Sequence, residues 1–168
     1  MITDILLIDE DDIIERLGEF DVNIEPKKFK FPVLICQDKH TREMLGDALY
    51  FDLLENFDNN TLSQSYQDLL PYVKQHLISA VSSRSLLTIH NQITNKGVMN
   101  RNSDYSVNSQ DSNVYRLINL YKSDMDFYAN RIYNYLKMNK EDFPLYKWDE
   151  DNDINPSKPE NDFGVWGF

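Results

Sequence analysis

The strongest hydrophobic periodicity in this sequence belongs to residues 112–139, SNVYRLINLYKSDMDFYANRIYNYLKMN. Its apolar side chains recur at alternating intervals of four and three residues, as on one face of a helix that packs against another helix. Ser109 or Ser112 is placed to cap the start of this helix. The pattern predicts a mainly α-helical protein, a small bundle with long antiparallel helices. The residues of this seam are Val114, Ile118, Tyr121, Met125, Tyr128, Ile132 and Tyr135.

Three further aromatic residues of the same stretch lie off the seam. They are Tyr115, Phe127 and Tyr133. A helix with apolar residues outside its packing seam is either buried deeply in its own bundle or in contact with another subunit. Both interpretations remain open, so we predict that these residues belong to a packing or interface surface.

A second helical pattern occupies residues 62–93, and a polar stretch follows it. The apolar residues of the helix step by three and four, although Pro71 is expected to kink or split it. Residues 94–113 are rich in Asn and Ser and include a turn signal at Asn95–Gly97, which predicts a loop or hairpin near 95–112. The apolar face of the helix comprises Leu62, Tyr66, Leu69, Val73, Leu77 and Val81.

The first third of the chain predicts shorter elements. A short helix is expected after the acidic residues 9–12, since carboxylates favour the positive end of a helix. Residues 22–31 are expected to be extended, and the alternation in PKKFKFP (26–32) favours a half-buried strand, with a local phosphate or acidic-partner contact as the alternative. The stretch 33–57 favours helix, with Gly46 as a weak point where close packing or a kink can occur.

The C-terminal residues 147–168 predict an extended acidic arm with an aromatic tip, beside a helical domain at 1–146. Between residues 141 and 162 there are eight carboxylates and two lysines, and three of the six prolines fall in the same span. Large aromatic side chains on a polar tether gain free energy only when a partner buries them. We therefore predict partner contacts for Trp148, Phe163, Val165, Trp166 and Phe168.

Composition limits the partners and the compartment. The 168 residues carry a net charge of −11, which argues against a protein that grips the nucleic-acid backbone, because phosphate contacts need clustered Lys and Arg. The single cysteine, Cys36, suits a reducing compartment. The start MITDILLIDEDD lacks the features of a signal peptide, and no stretch has the length of a membrane span. We expect a soluble, cytosolic protein.

Catalytic and metal-binding patterns are weak throughout. DEDNDINPSKPE (149–160) imitates a calcium loop, but Ile154 replaces the required glycine and two prolines obstruct the turn. His40, His76 and His90 are far apart and lack metal-ligand spacing. The chain also has no GxSxG elbow and no glycine-rich phosphate loop. We expect no cofactor, no metal and no enzymatic activity.

Two passages together resemble a known family. They are DKHTREMLGDALYFDLLENF (38–57) and the long block 69–146, in which the turn ITNKGV (93–98) joins two helical patterns. Their layout resembles that of the head-to-tail connector, or adaptor, proteins of tailed phages, and most closely the ring proteins of crAss-like phages. The resemblance covers roughly residues 1–146.

The resemblance implies a helical bundle that assembles with itself as a ring of twelve copies beneath the portal protein, in the neck of the virion. Such a ring extends the channel for double-stranded DNA without binding it specifically, and meets further tail or ring proteins on its other side. It also implies an arm that reaches into the portal or a neighbour. An acidic channel wall lets DNA slide, and Asp9, Glu10, Asp11 and Asp12 are candidates to face the lumen.

The alternative from another class is an acidic DNA mimic that inhibits a host DNA-binding protein. The net charge fits it equally, but the carboxylates collect in the end segments, and the aromatic tip has no role in a mimic. Oligomeric state separates the two, since a mimic acts as a monomer or dimer and a connector as a ring. Another virion or scaffolding protein, and an enzyme with a diffuse carboxylate site that metal dependence would reveal, are further alternatives.

Overall fold

The computed structural model describes residues 5–17, 29–94, 97–100 and 111–148 and shows a mainly helical protein, as predicted. In chain order the elements are α1 (Glu10–Leu17), α2 (Lys30–Cys36), a π-helical turn (Gln37–Thr41), α3 (Arg42–Leu45), α4 (Asp47–Asp58), α5 (Gln64–His90), β1 (Asn91–Thr94), β2 (Gly97–Asn100), α6 (Asp111–Met138) and a 3-10 turn (Lys140–Asp142).

The most extensive packing in the bundle joins α5 to α6. The predicted seam of α6 supplies this contact, with Ile118, Tyr121 and Ile132 buried. The end of α6 lies beside the start of α5, because Tyr135 donates a hydrogen bond to the carbonyl of Ser65 and its ring lies 6.0 Å from that of Tyr72. The apolar face predicted for residues 62–81 is also buried, at Tyr66, Leu69, Val73, Leu77 and Val81.

Helix α5 runs through Pro71 without interruption, so the expected split does not occur. A proline in a helix interior removes one backbone donor and crowds the preceding turn. Here the flanking residues Leu69 and Val73 are both fully buried. Tertiary packing on both sides of Pro71 therefore outweighs the local cost.

A second set of elements packs on α5 through α1, α2 and the π-helical turn. The side-chain amide of Gln37, which is 1% exposed, joins them. It accepts a hydrogen bond from the backbone N–H of Leu7 and donates to the carbonyl of Ile5 and to the hydroxyl of Tyr50. One buried amide thus ties the N-terminal segment to α4 with its polar groups satisfied.

The chain is helical from Lys30 onwards, which corrects the strand expected at the end of PKKFKFP. Helix α2 begins at Lys30, and Pro32 occupies its first turn, where a missing N–H leaves no helical bond unmade. Phe29 is buried while Phe31 is 68% exposed. Two residues along a helix point to nearly opposite sides, so the alternation of Phe and Lys does not place both rings in the core. Residues 22–28 lie outside the described residues.

Gly46 separates α3 from α4 by a sharp change of direction. Its backbone has φ 74° and ψ 157°, a conformation that is open essentially to glycine alone. Arg42 crosses the break, since its guanidinium contacts Asp38 on one side and Asp47 on the other, at 2.8 and 2.7 Å. The weak point predicted at Gly46 is therefore the boundary between two helices.

The strands β1 and β2 pair antiparallel as a short hairpin that follows α5 directly. Asn91 pairs with Asn100 and Thr94 with Gly97. The hairpin begins before the predicted 95–112 span, of which residues 95–96 and 101–110 lie outside the described residues. Among the helices of the described part, none has the length and apolar character that a membrane span requires.

Gly46→Ala is predicted to lower the free energy of unfolding by roughly 1–3 kcal/mol, because a Cβ atom is strained at this φ and ψ. The measurement is urea denaturation followed by circular dichroism. The matched control is Asn60→Gly, since Asn60 has φ 55° in the left-handed region that glycine also adopts freely. A Gly46→Ala variant as stable as the parent would contradict the assigned backbone conformation.

Candidate protein-binding surfaces

The three off-seam aromatic residues of α6 do not share one face. Tyr115 and Phe127 are 56% and 52% exposed, and Tyr133 is partly buried. At about 100° per residue, Tyr115 and Tyr133 point the same way, whereas Phe127 is turned by about 120° from both. The predicted second packing surface therefore divides into two directions on α6. Its role as an interface stays a prediction.

The exposed face of α6 around Phe127 contains two residues that the sequence analysis did not single out. Leu120 is 55% exposed and Met138 is 85% exposed. Leu120, Phe127 and Met138 follow one another at intervals of seven and eleven residues, about two and three helical turns. The spacing of these three residues could have been recognised in the sequence by examining the helix face opposite the buried seam.

Trp148, the first aromatic residue of the predicted arm, packs against its own chain. Its ring meets those of Tyr146 and Tyr133 edge to face, with centroids 4.6 and 6.0 Å apart. The ammonium of Lys140 lies 4.3 Å above the same ring, a cation–π contact. The packed body thus extends to residue 148. Phe163, Val165, Trp166 and Phe168 lie outside the described residues, so their partner contacts stay predictions.

The segment after α6 is held on the bundle by Phe143 and Tyr146, which are both buried. Phe143 lies between Tyr66 of α5 and Tyr135 of α6, at centroid distances of 5.5 and 5.9 Å. Such edge-to-face pairs add to the free energy of apolar burial. The origin of the C-terminal residues is therefore fixed at the end of the bundle where α6 ends and α5 begins.

The acidic N-terminal cluster forms the start of α1. The carboxylate of Asp9 accepts a hydrogen bond from the N–H of Asp12, and that of Asp12 accepts one from the N–H of Asp9, at 2.9 and 3.1 Å. This reciprocal pair follows the capping-box pattern. Asp12 also lies 3.4 Å from the ammonium of Lys74 on α5. Asp11 is exposed, and the side chain of Glu10 lies outside the described residues, so a lumen-facing role stays a prediction.

The histidines and the cysteine occupy structural positions. Burial raises the pKa of the Cys36 thiol to about 11, and burial, with a smaller effect of His40, lowers the pKa of His76 to about 4. At neutral pH these groups are therefore an uncharged thiol and an uncharged imidazole. The pKa of His40 is lowered as well, mainly by burial. The side chain of His90 lies outside the described residues.

Several polar groups in this part of the core have no hydrogen-bond partner among the described residues. They lie on the π-helical turn and along α5, and they are Thr41 Oγ1, His76 Nδ1, Ser82 Oγ and Ser85 Oγ. Burying such groups unpaired costs free energy. Groups of His, Cys, Asp and Glu that could hold a metal ion are not found in the described part of the chain.

A comparison with models of protein families finds a match for this chain. Residues 41–156 match the model of a family of unknown function, DUF6712, and this match covers more than half of the sequence. The chain belongs to the DUF6712 family. The DUF6712 region begins at the π-helical turn, includes α3 to α6 and Trp148, and continues into the acidic segment. No curated protein and no solved structure matches the chain.

The free energy of unfolding of this DUF6712 protein is predicted to fall by about 2 kcal/mol between pH 7 and pH 5 through His76 alone. In this window the unfolded state, with an ordinary histidine pKa of 6.5, binds more protons than the folded state, in which the pKa is about 4. Stability is therefore lost as pH falls from 6.5 towards 4. The measurement is urea unfolding at a series of pH values.

His76→Gln should remove this part of the pH dependence, whereas a carboxylate contribution would remain in both proteins. His40→Gln is the comparison variant. The pKa of His40 is lowered in the same direction as that of His76, but the side chain of His40 is only partly buried. An unchanged pH profile in His76→Gln would show that His76 is not a buried neutral group.

Proposed function

We propose that this chain is a structural virion protein that forms a ring beneath the portal, extends the DNA channel and joins the phage head to the tail. The observation that carries the proposal is the exposed apolar surface of α6, where Leu120, Phe127 and Met138 are all more than half exposed. Exposed apolar side chains that repeat along one face of a helix suit a surface that a partner covers. Repeated copies of one subunit are the partner that a ring supplies.

The bundle suits this role because its core is independent of that surface. One face of α6 is packed on α5, and the opposite face is exposed. A subunit can therefore fold first and assemble afterwards. The resemblance of residues 38–57 and 69–146 to phage connectors suggests a ring of twelve copies.

The charge of the chain supports a conduit rather than a nucleic-acid binder. A net charge of −11 repels the phosphates of passing double-stranded DNA and leaves it free to slide. We place the protein in the neck of the virion, assembled after synthesis in the host cytoplasm, with further tail or ring proteins on its far side. The exposed Asp11 at the start of α1 remains a candidate for the lumen.

The C-terminal residues are proposed to act as an arm that engages the portal or a neighbouring subunit. Trp148 is held on the bundle, so residues 149–168 start from a fixed point. Fully extended, they would span at most about 70 Å, enough to reach an adjacent subunit. The aromatic tip of Phe163, Trp166 and Phe168 would then be buried in the partner, where large aromatic side chains commonly dominate binding.

Light scattering of the purified protein, alone and mixed with the portal protein encoded by the same genome, tests the function. The expected result is a ring-sized assembly that joins the portal in a fixed stoichiometry. A protein that ignores the portal, stays monomeric and displaces DNA from a host enzyme would overturn the connector and identify a DNA mimic.

Deletion of Asp162–Phe168 is predicted to leave the fold intact while weakening assembly with the portal or with itself. A full-length variant with Phe163, Trp166 and Phe168 changed to Ser is the matched variant, because it keeps the length and charge of the arm. Thermal unfolding reports on the fold and light scattering on assembly. If either variant unfolds the isolated subunit, the tail belongs to the core and the arm hypothesis fails.

A further inference from the structure

The exposed face of α6 carries apolar and basic residues at helical spacing, with the exposed Asn134 among them and the partly buried Asp124 at its edge. We define the α6 stripe as Arg116, Leu120, Phe127, Arg131 and Met138, all of which are exposed. They lie within about 60° of one another around the helix and extend for about 33 Å along it. The guanidinium of Arg131 lies 5.1 Å from the centre of the Phe127 ring. Lys122 and Asp126 are exposed on the other side of α6, more than about 90° from Phe127.

The exposed face of α4 has the opposite charge around an aromatic residue of its own. We define the α4 face as Asp47, Phe51, Glu55 and Asp58, which are exposed and recur every three or four residues. Phe51 is 37% exposed, and the guanidinium of Arg42 lies 5.2 Å from the centre of its ring. Asp47 is paired with Arg42, while Glu55 and Asp58 carry the negative charge towards the end of the helix.

The two surfaces lie on different helices of the subunit. Helix α6 packs on α5, and α4, which follows the Gly46 break, buries Leu49, Leu53 and Leu54 in the core that α5 and α6 share. A contact between unlike surfaces on two copies is heterologous. It leaves one free surface of each kind at the ends of every chain of subunits, so it continues until the subunits close into a ring or form a filament.

We propose that the α6 stripe of one subunit docks on the α4 face of the next copy. Phe127 and Phe51 lie at the centre of the contact, and Arg131, one turn beyond Phe127, faces Glu55, one turn beyond Phe51. This inference rests on the proposed function, because it identifies the surfaces that would build the ring.

The chemistry of the two faces favours a second copy as the occupant. Aromatic and Arg residues are enriched at the centres of protein interfaces, and opposite charges fix the register and disfavour wrong partners. Two α6 stripes brought together would place arginines against arginines, and two α4 faces would place carboxylates against carboxylates. Only the unlike pairing brings attraction at both the apolar centre and the charged rim.

Charge exchange in the full-length protein tests the contact. Arg131→Glu and Glu55→Arg, made singly, place like charges across the interface and should each weaken self-assembly at least tenfold. The double variant restores one positive and one negative partner and should recover most of the assembly. Lys122→Glu is the matched control, since it makes the same change of charge on the same helix outside the stripe and should assemble as the parent does.

Assembly is measured by light scattering over a range of protein concentrations, alone and with the portal, and thermal unfolding confirms that each variant folds. If the parent forms a ring and both single variants assemble as well as Lys122→Glu, another surface builds the ring; the inference fails while the proposed function stands. If the single variants fail and the double variant does not recover, the two faces contact different partners and the pairing is wrong.

A parent protein that neither self-assembles nor joins the portal overturns the inference and the proposed function together.

The other candidate to bind the α6 stripe is the C-terminal tip of the chain itself. If changing Phe163, Trp166 and Phe168 to Ser abolishes the difference between Arg131→Glu and Lys122→Glu, the stripe binds that tip, and the contact between α6 and α4 is overturned.

Discussion

The burial of α5 on two sides is the constraint on which the rest of the structure depends. One side receives α6, and another receives α1, α2 and the π-helical turn. Leu69, Val73 and Leu77 are fully buried, and each such side chain contributes about 1.5–3 kcal/mol relative to its exposed state. Small residues at 79, 80 and 82 are buried as well, which allows neighbouring elements to approach the helix closely. Without α5 between them, α6 and the group formed by α1, α2 and the π-helical turn would share no core.

The cost of placing one helix at the centre is visible in its polar residues. His76 and Ser82 are buried with unpartnered atoms among the described residues, whereas Gln37 on the facing turn has its amide fully engaged. The π-helical turn keeps Gln37, Thr41 and Leu45, spaced by four residues, directed at the core, because its wider turn offsets the drift that an α-helix would give. The resulting core is apolar around a small set of uncharged polar groups.

Helix α6 has a buried face and an exposed face, and the exposed face is the one proposed to contact another subunit. The inner face of α6 packs on α5. The outer face therefore contributes little to the stability of the subunit and is open to contact with another molecule. On α4, the exposed Asp47, Glu55 and Asp58 lie on the side away from the buried Leu49 and Leu53. The described residues thus leave two exposed faces of unlike charge, one on α4 and one on α6. DUF6712 membership itself assigns no activity, so these surfaces are the most direct route to the function.

The sequence by itself determined the two long helical segments, the seam of α6 and one of the two buried sides of α5, because their apolar spacing repeats over many turns and few alternatives satisfy it. It also located the break at Gly46, although not its sharpness. Tertiary structure decided where local signals conflict. Pro71 stays within α5 because burial around it outweighs a lost hydrogen bond, and a helix follows Phe29 in place of a strand, with Phe29 in the core and Phe31 exposed. It also decided that the ring of Trp148 packs on Tyr133 and Tyr146. These outcomes depend on which side chains the folded core accepts, and no local pattern in the sequence records that.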